Sequence, residues 1–142
     1  MLIQLIIGSL LIITTLIVEV LFIQGGIYAL RKRGQKFLTT RQTSHQIIAL
    51  TLSTLWLLAA LSVSIWIWAL AFWKIGAFSQ LEPALYFSMV SFTTLGFGDV
   101  TLPQEWRLLS GIVAANGLLL FGLNTAFLIE ILDRLFLSSS KK

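Results

Sequence analysis

Cysteine is absent from the 142 residues, and only 11% of them are charged. The missing thiols exclude disulfides, thiol nucleophiles and thiolate metal sites. Histidine occurs once, at His45, and a lone histidine in a basic segment reads as a solvated loop residue rather than a ligand. No metal-ligand cluster, no pair of carboxylates within an apolar segment and no nucleophile–base set appears. The sequence therefore does not point to an enzyme, and no small-molecule substrate is expected. What the chain has in excess is apolar surface: 57% of its residues are hydrophobic and its mean hydropathy is +0.91. Soluble domains are closer to half apolar and a quarter charged. So short a chain cannot hide that excess inside itself, and lipid is the solvent it calls for.

The net charge is +4, but the basic residues do not form a face that tracks nucleic acid. They gather in one linker and at the C-terminus, which suits a cytoplasmic membrane surface. A bilayer crossing takes about 20 apolar residues. Three segments reach that length: about 1–30, 46–73 and 106–136. The stretch 81–93 is too short to span and reads as re-entrant or interfacial. Met1-Leu2-Ile3-Gln4 has no basic side chain, and no small-x-small cleavage site follows, so the first segment is expected to be a retained span rather than a signal peptide.

Arg31, Lys32, Arg33, Lys36 and Arg41 lie between the first two spans, and Arg134, Lys141 and Lys142 follow the third. The positive-inside rule places both groups in the cytoplasm, with the N-terminus outside. Residues 31–45 are then a basic cytoplasmic linker able to meet anionic lipids, and 137–142 a cytoplasmic tail. Trp66, Trp68, Trp73 and Trp106 fall where an aromatic belt would sit at the outer headgroups.

Ser79-Gln80-Leu81-Glu82 has the capping-box pattern, and Pro83 suits a first helical turn. A short helix over 82–93 is the natural reading. It is followed at once by Thr94-Leu95-Gly96-Phe97-Gly98-Asp99. This hexapeptide resembles the selectivity filter of the potassium-channel pore-domain family, usually Thr-Val-Gly-Tyr-Gly-Asp. Ala84-Leu85-Tyr86-Phe87-Ser88 is similar to the family's aromatic pore helix. Gly117 falls near its inner-helix hinge glycine, and Phe121-Gly122-Leu123-Asn124-Thr125-Ala126 looks like its lower inner helix.

The resemblance covers about 46–136. It implies an all-α membrane fold in which the pore domain comprises an outer helix 46–73, a pore helix 82–93, a filter 94–99 and an inner helix 106–136. Residues 1–30 add a further N-terminal transmembrane helix. Four copies would form a homotetrameric pore in the plasma membrane. The implied ligands for potassium ions are the carbonyls of Thr94, Leu95, Gly96 and Phe97, with the Thr94 hydroxyl at the inner end. Gly96 and Gly98 would supply the left-handed backbone that turns successive carbonyls the same way.

Thr93, Tyr86, Phe87, Val90 and Asp99 are expected to support the filter, and Gly117, Gly122, Asn124 and Thr125 to form the cavity and gate. Three positions depart from the family pattern. Leu95 is larger than the usual valine, Phe97 lacks the tyrosine hydroxyl, and Val90 stands where some bacterial channels carry a glutamate bonded to the filter aspartate. Asp99 is therefore expected to lack that glutamate partner, and the filter to be braced by fewer hydrogen bonds. The function implied is passive potassium conduction; a weakly selective monovalent cation channel on the same fold, or a non-conducting membrane subunit, are the alternatives. Glu19 is the one acidic or basic residue of the first span. Charge so deep in a bilayer is expensive and often functional, so Glu19 is a candidate regulatory group, a structural hydrogen-bonded carboxyl being the alternative.

Overall fold

The computed structural model describes residues 1–38 and 43–137, without the side chains of 30–38, 43, 45 and 134–137. The basic side chains of the linker, His45 and the tail lie outside the described residues, and so does the expected contact with anionic lipid.

The chain is all-α, with no strand among the described residues. Helix α1 spans Leu2–Leu38, α2 Thr43–Lys74, α3 Leu81–Phe92 and α4 Leu108–Leu137. A 3-10 turn, Gln104–Trp106, precedes α4. Three of the helices contain stretches long and apolar enough to cross a membrane: Leu2–Ala29, Gln46–Lys74 and Leu108–Asp133. Helix α3 has 12 residues, or about 18 Å of rise, against a hydrocarbon core of about 30 Å.

Local boundaries differ from the sequence reading at two places. Helix α1 does not stop at Leu30 but continues to Leu38, because Arg, Lys and Gln are good helix formers. At α3 the N-cap is Gln80, with no side-chain cap bond, so the Ser79–Glu82 capping box does not form. With the cap at Gln80, the position that a capping box gives to glutamate falls on Pro83. Glu82 still lies in the first turn, where a negative charge favours the helix dipole.

Helices α1 and α3 each lie against both α2 and α4. Trp68, Phe72, Phe92, Leu109, Val113 and Leu120 are the large apolar residues buried completely in the core. Phe72 meets Phe87 nearly edge-on, with ring centroids 5.4 Å apart. Trp68 leaves the expected aromatic belt: it is fully buried and sits 5.6 Å from the Phe72 ring. Trp66 and Trp73 remain exposed.

Helix α1 is patterned inversely to a helix in water. Its buried positions are Gln4, Gly8, Thr15 and Glu19, while Leu5, Ile6, Leu10, Ile13 and Ile17 are exposed. Lipid welcomes the apolar face, and the polar groups turn toward the other helices. Gly8 lets α4 come close: a Cβ there would stand 2.8 Å from Ile112 Cδ1. Gln4 joins the start of α4, with its amide donating to the Glu105 carbonyl and its Oε1 accepting from the Leu108 N–H at 3.0 Å. Further along, Asn116 Nδ2 donates to Thr15 Oγ1 at 2.8 Å. The order of these contacts makes α1 run parallel to α4.

Candidate functional site

The segment 94–99 hangs from the C-terminal end of α3, and the way that helix stops sets its path. The Thr94 N–H donates to the Ser91 carbonyl at 3.0 Å, and the Leu95 N–H to the Val90 carbonyl at 3.0 Å. Together these bonds make a Schellman closure, which requires a left-handed residue just past the cap. That residue is Thr94, with φ 60°, where glycine is usual. A non-glycine residue there carries about 1–2 kcal/mol of strain. Gly96 follows with φ 58° and Gly98 with φ 77°. Left-handed residues thus alternate with their neighbours along 94–98, as expected at the two glycines and additionally at Thr94.

The carbonyls of Thr94, Leu95, Gly96 and Phe97 accept no backbone hydrogen bond among the described residues. The loop therefore presents a run of free oxygen ligands. Among the described residues no group of three or more His, Asp or Glu side chains is placed to hold a metal ion. Main-chain carbonyl oxygens are hard donors of the kind that can replace a cation's hydration water.

Asp99 closes the segment, and it does have a partner. The Tyr86 hydroxyl on α3 donates to Asp99 Oδ2 at 2.6 Å. That bond holds the Asp99 carboxyl below the usual carboxylate range and raises the Tyr86 phenol above its own. Val90 offers Asp99 no side-chain hydrogen bond, and the tyrosine takes the place that a glutamate partner would have filled. The brace comes from Tyr86 on α3.

The remaining support residues divide by role. Phe87 and Val90 are buried in the core, and the Val90 carbonyl also receives the Gly96 N–H at 3.3 Å. The Thr93 hydroxyl donates back to the Met89 carbonyl at 2.8 Å, so it belongs to the helix end. Gly117 is a close-packing residue: a Cβ there would stand 1.9 Å from the Phe92 carbonyl oxygen. Helix α4 thus passes against the last turn of α3, immediately under the loop. Gly122 has open space around it.

Asn124 does not stand with the exposed residues of α4. It is buried and lies beside Glu19 of α1. Thr125 is exposed, its hydroxyl donating to the Phe121 carbonyl at 2.9 Å. Glu19 is fully buried. The sequence reading missed the Tyr86–Asp99 bond and the Thr15–Asn116 bond. A signal for the second existed: Gln4, Thr15 and Glu19 recur at spacings of eleven and four residues, which is whole helical turns.

A family model described as an ion channel matches residues 48–134, more than half of the chain. No curated protein and no solved structure matches the chain. The matched region takes in the short helix, the loop and the two spans flanking them, so this chain belongs to the ion-channel family, as a membrane channel protein and not an enzyme.

Proposed function

We propose that the chain is one subunit of a homotetrameric, potassium-selective channel of the plasma membrane. In this reading Thr94–Gly98 is its selectivity filter, the N-terminus lies outside and the C-terminus is cytoplasmic. The observation that carries the reading is the backbone of the loop: left-handed residues at Thr94, Gly96 and Gly98, with four carbonyls left free of backbone bonds. Alternating handedness turns successive carbonyls to one side, and a column of such oxygens replaces the water shell of a dehydrated potassium ion.

One chain supplies a quarter of the ligands that each ion needs, so four copies must surround an axis. Leu95 and Phe97 are 61% and 68% exposed. Such large apolar side chains on a loop favour an assembly in which neighbouring copies cover them. Tyr86 and Asp99 brace the loop from behind, and the α3–α4 packing at Gly117 fixes its base. Conduction is passive: the residues bind, strip and release the ion, and no bond is made or broken.

Flux from liposomes containing the purified protein tests the reading. Potassium efflux blocked by barium, with little sodium flux, is the expected result. Equal potassium and sodium flux would replace it with a weakly selective cation channel. No flux of either ion would favour a non-conducting subunit.

A further inference from the structure

Glu19 is the sole acidic or basic side chain of the Leu2–Ala29 span. It lies ten residues before Ala29, about 15 Å along the helix, and is fully buried. An ionised carboxylate in such a place needs a cation or a full set of donors. Among the described side chains, no packed helix supplies the cation. Helix α2 carries no Asp, Glu, Lys or Arg between Gln46 and Trp73, and α4 carries none between Leu108 and Ile129. On α4 the nearest ionisable groups are Glu130, Asp133 and Arg134, at least six residues past Asn124, or about 9 Å. On α1 the nearest base is Arg31, twelve residues on from Glu19. Lys74 is the last residue of the α2 span, at its far end, and Glu82 lies beyond it.

What faces Glu19 is the Asn124 side chain. Four atoms of this contact are left without a well-formed hydrogen bond: Oε1 and Oε2 of Glu19, and Oδ1 and Nδ2 of Asn124. Donor arithmetic separates the two charge states. A carboxylate only accepts. It can take the Asn124 N–H, but it then leaves Oδ1 with no donor beside a negative group. A protonated carboxyl donates its O–H to Oδ1 and accepts Nδ2–H on its other oxygen. This two-way pair uses all four atoms and buries no charge.

We propose that Glu19 is a proton-binding site inside the membrane, its protonated carboxyl pairing reciprocally with the Asn124 side-chain amide and so fastening α1 to α4. The pair continues the seam made by Thr15 with Asn116 and by Gln4 with Leu108. The whole seam lies on one face of α1 and sets a single register between it and α4. The proposal depends on burial and on the donor inventory, and it stands whichever cation the loop conducts.

Infrared difference spectroscopy on the full chain in liposomes tests it, with wild type set against Glu19→Gln at neutral pH. The other carboxyls are common to both samples and cancel. We expect a protonated-carboxyl C=O band in the wild type, lost in Glu19→Gln and shifted in Asn124→Leu. Glutamine keeps one donor group, one acceptor and no charge, so Glu19→Gln should keep the wild-type thermal midpoint and flux. A difference spectrum carrying only carboxylate bands would overturn the proposal. So would a Glu19→Gln chain that fails to fold, because a neutral amide would then be unable to replace the acid. A band unmoved in Asn124→Leu would refute the pairing.

Discussion

Replacing Gly117 with alanine adds one carbon where α4 crosses the end of α3. That carbon would stand 1.9 Å from the Phe92 carbonyl oxygen and 2.8 Å from its carbonyl carbon. A carbon rests against a carbonyl oxygen at about 3.3 Å, so the helices must part by roughly 1.4 Å. Overpacking by one carbon costs about 1–3 kcal/mol. The obstacle here is main chain and cannot swing aside, which places the cost near 3 kcal/mol. Alanine is the better helix former by about 1 kcal/mol, leaving a net loss of about 2 kcal/mol and a roughly thirtyfold shift toward the unfolded state. The midpoint of heat denaturation in detergent, followed by tryptophan fluorescence, should fall by roughly 4–8 °C. Gly111→Ala and Gly122→Ala are the controls, since a Cβ at either meets nothing within 4 Å; both should match or slightly exceed wild type. Because Phe92 is two residues before Thr94, Gly117→Ala should also depress flux. A Gly117→Ala chain as stable as Gly122→Ala would refute the reasoning.

Tyr86→Phe removes the donor to Asp99 and should speed the decay of flux without changing the helical circular dichroism. The Asp99 carboxyl is lowered by that donor, so the contribution of the bond is complete above the usual carboxylate range and is lost as pH falls through the lowered value. The gap between wild type and Tyr86→Phe should therefore hold from pH 7 to about pH 5 and close in stronger acid. Thr94→Gly relieves the left-handed strain but loosens the unfolded chain, so thermal stability should stay within about 1 kcal/mol of wild type while barium block of flux is weakened by loss of the hydroxyl. Asn116→Ala breaks the 2.8 Å bond to Thr15 and should cost about 0.6–1.7 kcal/mol, read as a lower thermal midpoint.

The three spans were legible because crossing a bilayer is a matter of length and composition, which a sequence carries openly. Gly96 and Gly98 were legible because glycine advertises the left-handed backbone. Thr94 was not, since threonine seldom adopts that conformation; it does so here because the Schellman closure on Val90 and Ser91 requires it. The Tyr86–Asp99 bond was hidden by the path of the intervening loop. Trp66 and Trp68 look alike in sequence, yet two residues turn a helix by about 200°, so one faces outward and the other the core. Asn124 and Thr125 differ in the same way: which of them is buried depends on where α1 packs, and no local pattern states that. The extension of α1 to Leu38 was missed because basic residues were read for their charge rather than for their helix propensity.

The inward-turned polar stripe of α1 has a consequence for biogenesis. Thr15 meets a partner 101 residues later in the chain. At roughly 5–20 residues per second of translation, α1 leaves the ribosome about 5–20 s before α4 exists. Over that interval the translocon or the surrounding lipid must accommodate Glu19 without its α4 partner, at a penalty of about 2.5–3.5 kcal/mol if it is charged near the helix centre. The mean hydropathy of that span, 2.6 even with Glu19 in it, is what lets the first helix enter and wait.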